Sequence, residues 1–176
     1  MAKRPRPVII RYRVLRVQQK ETVNSTELPD LSLLRPRGRI AALDPGTKRV
    51  GVAMSDESRL VANPLPAIAR KSWKNLLSEV RMVISKFDAV ALVIGLPLNS
   101  DGSESSMSSE ARSFAAKFAR SLEIPIFLQD ERVTTYEARH RMWQRGVSLR
   151  DTKRHVDSEA AAVILGDFID RLQTRN

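Results

Sequence analysis

Three acidic residues stand next to apolar runs, at positions where a carboxylate could do chemistry. Asp44 ends one run and precedes a Pro-Gly turn, Glu131 follows the run 124–128, and Asp157 opens the last apolar segment. A carboxylate beside buried apolar residues carries a desolvation cost, which a divalent cation can offset. Oxygen ligands with open coordination positions suit Mg²⁺ or Mn²⁺, and two such ions can activate a water and stabilise the leaving oxygen of a phosphodiester.

Each of these acids also has an ordinary structural explanation. Asp44 could only form the turn, Asp157 could only cap a helix, and Glu131 could only pair with Arg132. Asp130, next to Glu131, lies on the opposite side of an extended chain. The joint placement favours a site, because strand ends in an α/β sheet face a common crevice.

The hydrophobic pattern predicts an α/β fold, with a mixed five-stranded sheet and helices on both faces. Strands are predicted at 39–44 and 49–54, which form a hairpin across the Pro-Gly turn, near Leu60, at 89–94 and at 124–128. Helices are predicted from a cap at Ser72 to 87, from about 110 to 121, at 134–146 and at 157–172. The Ser-rich stretch 103–109 is predicted to continue a loop that begins at Gly95.

Positive charge is concentrated at the front of the chain. The sequence has 30 Lys and Arg against 20 Asp and Glu, a formal net charge of +10. Residues 1–38 hold nine basic and three acidic residues, so +6 of the excess lies there. We predict that 1–38 is a flexible basic extension, either solvated or folded against a partner, and that 39–176 forms one domain. The excess favours an anionic partner, first of all nucleic acid.

Composition also excludes several classes of protein. Cys is absent, which rules out a disulfide scaffold, a thiolate metal site and a Cys nucleophile. No apolar run approaches the roughly 20 residues that span a bilayer, and no signal peptide is recognisable. We therefore expect a cytoplasmic protein with no membrane partner.

Basic residues beside the acids are candidates for holding phosphates. The stretch 132–154 has seven basic and two acidic residues. Its Trp143 could stack on a base, although a place in the helix core is the simpler explanation. Lys48 and Arg49 could be merely solvated, and Asn99 could cap its own loop. The candidate nucleic-acid contacts are Lys48, Arg49, Asn99, Arg132, Arg139, Arg145, Lys153 and Arg154.

Four segments, in order, resemble the motifs of the YqgF/RuvX family of Holliday junction resolvases and pre-16S ribosomal RNA nucleases. They are 44–53 (Asp-Pro-Gly-Thr-Lys-Arg-Val-Gly-Val-Ala), 95–102 (Gly-Leu-Pro-Leu-Asn-Ser-Asp-Gly), 130–135 (Asp-Glu-Arg-Val-Thr-Thr) and 157–165 (Asp-Ser-Glu-Ala-Ala-Ala-Val-Ile-Leu). The resemblance covers about residues 39–172 and implies an RNase H-like fold. It also implies that Asp44, Glu131 and Asp157 are the catalytic, metal-binding acids. Pro45 departs from the family, which more often has an aromatic residue there.

The resemblance and the three acids together predict a metal-dependent nuclease that uses Mg²⁺ or Mn²⁺. Its predicted role is processing of the 5′ end of pre-16S ribosomal RNA, with ribosomal components as further partners. The alternatives are a Holliday junction resolvase acting on branched DNA and a non-catalytic nucleic-acid-binding module. An actin-like ATP phosphotransferase is disfavoured, because the chain supplies only one of the two lobes that such enzymes need. The sequence leaves open whether the chain is a monomer or a homodimer.

Overall fold

The computed structural model describes residues 31–131 and 156–174. A short 3₁₀ helix, Leu31–Leu33, precedes β1 (Ile40–Pro45), β2 (Arg49–Ser55), β3 (Ala62–Ala69), α1 (Trp73–Phe87), β4 (Ala91–Leu96), α2 (Ser106–Ser121), β5 (Ile126–Asp130) and α3 (Val156–Gln173). The predicted helix over 134–146 lies outside the described residues. Among the described helices, none is long and apolar enough to cross a membrane.

The five strands form one mixed sheet in the order β3-β2-β1-β4-β5. The hairpin predicted across the Pro-Gly turn is confirmed, since β1 and β2 pair antiparallel. β4 and β5 are parallel to β1, so the carboxyl ends of these three strands lie side by side at the same end of the sheet. The predicted mixed five-stranded α/β sheet is therefore confirmed.

The two faces of the sheet bury separate apolar clusters. α1 and α2 pack on one face, where Leu92 and Ile94 of β4 lie under Phe114 and Phe118 of α2. α3 packs on the other face, where Val93 and its neighbours meet Leu165 and Phe168. β4 is buried along its whole length, as its continuous apolar sequence predicts. Helices therefore cover both faces, as predicted.

Helix caps decide where the two helices of the first face begin. Ser72 caps α1 by accepting a hydrogen bond from the Asn75 N–H, as predicted. The prediction of a loop through 109 is wrong, because Ser105 and Ser108 form a reciprocal capping box and start α2 at Ser106. A Ser-rich sequence resembles a loop until the hydrogen bonds of the cap are known.

Strand positions differ from the predictions by a few residues. The third strand was expected near Leu60, but β3 begins at Ala62 and runs for eight residues. Its two prolines, Pro64 and Pro66, hide the strand pattern, and an edge strand tolerates them. β4 and β5 each begin two residues later than predicted and end correspondingly later.

The described part of the front segment contacts the domain. Leu31 and Leu34 pack against the apolar cluster under α3. The side chain of Arg59 donates hydrogen bonds to the carbonyls of Arg35 and Gly38, where the chain enters β1. The division into an extension over 1–38 and a domain over 39–176 stays a prediction.

Candidate active site

Four neighbouring strands each contribute one residue to a row that crosses the sheet near the carboxyl ends of β1, β4 and β5. Asp44 of β1 pairs with Gly51 of β2, and Gly95 of β4 pairs with Gln129 of β5. The parallel pairing of β1 with β4 brings Asp44 beside Gly95. The row therefore reads Gly51, Asp44, Gly95, Gln129, with about 4.8 Å between strands.

This row faces α3. Ile40 and Ala42 pack against α3, and side chains alternate along a strand, so Asp44 lies on the same face. The residues on both sides of Asp44 in the row are glycines, which have no side chain to fill the surface next to its carboxylate. In this row, therefore, no side chain of β2 or β4 lies directly beside Asp44.

Glu131 approaches Asp44 from the β5 side of the row. It follows β5 directly, and its carboxylate lies over Gly95. A Cβ atom built on Gly95 would overlap Oε1 of Glu131 and would lie 2.6 Å from Cδ1 of Ile164 in α3. Because Gly95 has no side chain, the Glu131 carboxylate can approach Asp44.

The pKa values of the two acids reflect their burial and, for Glu131, the nearby charge of Asp44. Burial raises the pKa of Asp44 above its ordinary value. Burial, followed by the negative charges of Asp44 and Asp130, raises the pKa of Glu131 to about 7. Two half-buried carboxylates, of which Asp44 disfavours the ionisation of Glu131, form a site that a cation would stabilise.

The start of α3 is fixed to the same part of the sheet. Oγ of Ser158, a fully buried residue, accepts a hydrogen bond from the Val52 N–H at 3.0 Å. Val52 follows Gly51, which pairs with Asp44, so the first turn of α3 is attached one residue from the row. Asp157 precedes Ser158 in that turn, and its side chain lies outside what the structure describes.

The described residues hold two of the three predicted acids in one place. No group of three His, Asp or Glu side chains able to hold a metal ion occurs among the side chains that the structure describes. Asp44 and Glu131 come together, whereas the third acid, Asp157, is not among those side chains. The roles of all three as catalytic and metal-binding residues stay predictions.

The candidate nucleic-acid contacts divide into two sets. Lys48, in the turn after β1, and Arg49, the first residue of β2, are exposed and lie close in sequence to the row. Asn99 is exposed, but its side-chain amide donates to Oγ of Ser103 at 2.9 Å, and its main chain also bonds Ser103 and Gly102. Asn99 thus caps its own loop, as the simpler explanation expected. The second set lies outside the described residues: Arg132, Arg139, Arg145, Lys153 and Arg154.

Two residues of the row escaped the sequence-based reasoning. Gly95 was interpreted as the start of a loop, yet it lies within the buried strand β4 and supplies the space for Glu131. Gln129 is only 3% exposed, and its Nε2 donates to the Asp130 carbonyl at 3.1 Å. The alternation of Phe127, Gln129 and Glu131 along one face of the strand could have placed Gln129 beside the site.

Comparison with known proteins gives consistent results. The model of a family described as "RuvX: Holliday junction resolvase" matches residues 38–171. A relative from Anaeromyxobacter sp. (strain Fw109-5), named "Putative pre-16S rRNA nuclease", is 38% identical over 132 residues, covering 75% of this chain and 96% of its own. One from Rhodopseudomonas palustris (strain HaA2), with the same name, is 39% identical over 140 residues, covering 80% and 88%.

Among solved structures, the fold is similar to that of a RuvC protein. The structure described as "T. thermophilus RuvC in complex with Holliday junction substrate" has a TM-score of 0.52 and 15% sequence identity. The match covers 78% of this chain and 97% of that chain. At this identity the likeness concerns the fold alone, and the predicted RNase H-like fold is confirmed.

Proposed function

Since the chain belongs to the RuvX family, we propose that it is a metal-dependent nuclease that hydrolyses phosphodiester bonds at the row containing Asp44 and Gly95. The single observation that carries this proposal is the approach of the Glu131 carboxylate over Gly95 toward Asp44. Keeping two carboxylates half buried and close to each other costs free energy of folding. A purely structural role does not need such an arrangement, whereas an active site does.

The donor groups suit a hard divalent cation. Carboxylate oxygens are the ligands that Mg²⁺ and Mn²⁺ take in proteins, and a bound cation would offset the effect of the Asp44 charge on Glu131. Asp44, Glu131 and, from its sequence position, Asp157 would hold the cation. The cation would supply activation of a water and stabilisation of the leaving oxygen.

The chain's own residues would orient the substrate and control the protons of the site. A phosphate of the substrate would bind on the α3 face of the sheet, next to Asp44. Lys48 in the turn and Arg49 at the start of β2, both exposed, would contact neighbouring phosphates of the substrate. Because the pKa of Glu131 is raised to about 7, its carboxyl group exchanges a proton near neutral pH in the metal-free protein.

We favour precursor ribosomal RNA as the substrate. The curated relatives that cover most of this chain carry the name of a pre-16S ribosomal RNA nuclease. Processing of the 5′ end of pre-16S RNA in the cytoplasm, with ribosomal components as partners, is the role we propose. The family description favours the second candidate, a Holliday junction resolvase, for which two-fold symmetry of the junction would favour a homodimer.

One panel of incubations separates these activities. Purified protein is incubated with a 5′-extended 16S precursor RNA, a four-way DNA junction and single strands of each, in Mg²⁺, Mn²⁺ or EDTA. We expect cleavage of the precursor RNA in Mg²⁺ or Mn²⁺ and none in EDTA. Paired symmetric cuts in the junction alone would instead establish the resolvase. Binding without cleavage of any substrate would indicate the non-catalytic module and contradict our proposal.

The Gly95→Ala variant tests the geometry of the row. The added methyl group takes the space of the Glu131 carboxylate and of Ile164, so the carboxylate must move away from Asp44. A displacement of about 1 Å in a catalytic group can cost about 10²-fold in rate, and we expect a loss of that size in initial cleavage rates. Circular dichroism and the melting temperature monitor the fold. A correctly folded Gly95→Ala protein with full activity would show that cleavage does not need Glu131 at this position.

A further inference from the structure

Arg70 contacts the turn that follows β1, the strand of Asp44, through two hydrogen bonds. It follows β3 directly, and its main-chain N–H donates to the carbonyl of Lys48 at 3.0 Å. Its side chain donates through Nη1 to the carbonyl of Gly46 at 3.1 Å. Arg70 therefore bonds the first and the last residue of the three-residue turn, Gly46 to Lys48, between β1 and β2.

The other side of the Arg70 guanidinium is attached to α2. Its Nη2 forms an ion pair with the carboxylate of Glu110. The guanidinium carbon lies 5.5 Å from the centre of the Phe114 ring, one turn further along the helix. Arg70 thus bridges from a rigid helix, which packs on the sheet, to the turn beside the carboxylates.

Gly46 connects this bridge to Asp44. Its carbonyl accepts from Arg70, and its own N–H donates to the Asp44 carbonyl at 2.9 Å. A Cβ atom on Gly46 would lie 2.6 Å from the Arg49 carbonyl, so the compact turn depends on glycine. A continuous series of polar contacts therefore runs from Glu110 through Arg70 and Gly46 to the main chain of Asp44.

Arg70 acts from the side of the sheet opposite to the carboxylates. Phe114 belongs to the apolar cluster under α1 and α2, whereas Asp44 lies on the α3 face. We propose that Arg70 is a positioning residue, which fixes the orientation of the Asp44 carboxylate through the turn without touching the substrate. This inference rests on the proposed nuclease function, because it assigns Asp44 to the divalent cation.

The test compares divalent-cation affinity with activity in Arg70 variants. Arg70→Met keeps much of the apolar stem but loses both polar contacts of the side chain. We expect Mn²⁺ binding, followed by electron paramagnetic resonance or calorimetry on the metal-free protein, to weaken about tenfold. Cleavage at saturating Mn²⁺ should fall about 10- to 100-fold, with unchanged binding of nucleic acid in EDTA. Arg70→Lys should recover part of the Mn²⁺ affinity, because Lys can reach one acceptor but cannot span both.

Arg112→Met is the matched control, because it removes a similar ion pair from the same helix. Arg112 pairs with Glu104, and the structure gives that pair no contact with the turn. Unchanged Mn²⁺ affinity and activity in folded Arg70→Met, with only a lower melting temperature, would overturn the inference. Weaker nucleic-acid binding with unchanged Mn²⁺ affinity would also overturn it, since Arg70 would then contact phosphate directly.

The variant Asp44→Asn separates failure of this inference from failure of the proposed function. If Asp44→Asn lowers Mn²⁺ affinity and Arg70→Met does not, the metal site stands and the positioning role is wrong. If neither variant lowers it, Asp44 is not a ligand, and both proposals are overturned. If Arg70→Met does not fold, the Arg70→Lys protein provides the same comparison. Its Mn²⁺ affinity is expected to fall about threefold, and an unchanged affinity would contradict the inference.

Discussion

The Asp44→Asn variant is expected to lose cleavage by about 10³-fold or more while it keeps its fold and its affinity for nucleic acid. The change removes one charged ligand of the proposed cation and leaves the shape of the side chain. Charge stabilisation by such a cation is worth several kcal/mol in the transition state, and each ~1.4 kcal/mol is tenfold in rate. Single-turnover cleavage of the precursor RNA in Mg²⁺ measures the loss, and binding in EDTA measures the affinity.

The stability of the same variant gives an independent check. Burial raises the pKa of Asp44, so the ionised form is the less favourable one in the folded protein. A neutral Asn should therefore leave the melting temperature in EDTA unchanged or higher. Addition of Mg²⁺ should stabilise the wild-type protein more than the variant, because the variant binds the ion less tightly.

Asp88→Asn is the matched control for this substitution. Asp88 ends α1 in the left-handed conformation, is exposed, and tolerates Asn because Asn readily adopts that conformation. Its activity and its response to Mg²⁺ should equal those of the wild type. Undiminished cleavage by Asp44→Asn, measured beside this control, would show that Asp44 is not part of the active site.

The second large effect is expected from Glu131→Gln, which should abolish cleavage and change how stability depends on pH. In the folded, metal-free protein the pKa of Glu131 is about 7, against an ordinary value of 4.5. Between these values the unfolded chain releases the proton while the folded protein retains it. The free energy of unfolding therefore falls as pH rises from about 4.5 through about 7, and then levels off.

The Glu131→Gln variant has no proton to release at this position. The contribution of Glu131 to the pH dependence of the free energy of unfolding is therefore lost. In EDTA the variant should be more stable than the wild type at pH 8, with the difference shrinking as pH approaches 4.5. Melting temperatures across this range measure the effect. Mg²⁺ favours the ionised carboxylate and should stabilise the wild type more at pH 8 than at pH 6.

Glu123→Gln is the control for the pH experiment, because Glu123 is exposed and lies shortly before β5. It should follow the wild type in stability and in activity. An identical pH dependence for wild type and Glu131→Gln would show that Glu131 ionises normally and is not held against Asp44. Normal cleavage by Glu131→Gln would exclude it as a catalytic residue.

Local sequence signals were enough for most of the fold. The hairpin across Pro45 and Gly46 follows from turn residues between two apolar runs, and α1 follows from the cap at Ser72 and its apolar spacing. Where the signal was ambiguous, the prediction failed. The Ser-rich start of α2 was interpreted as a loop, because a capping box and a loop have the same composition until their hydrogen bonds are seen.

The sequence by itself determined that acids stand at Asp44 and Glu131, that each lies near the carboxyl end of a strand, and that the strands belong to one sheet. The tertiary structure decided that Gly95 lies between these acids and that Arg70 holds the turn from the opposite face. The physical reason is that residue type and periodicity act over a few neighbours along the chain. Strand register and side-chain contacts between distant segments are set by the packing of the whole domain.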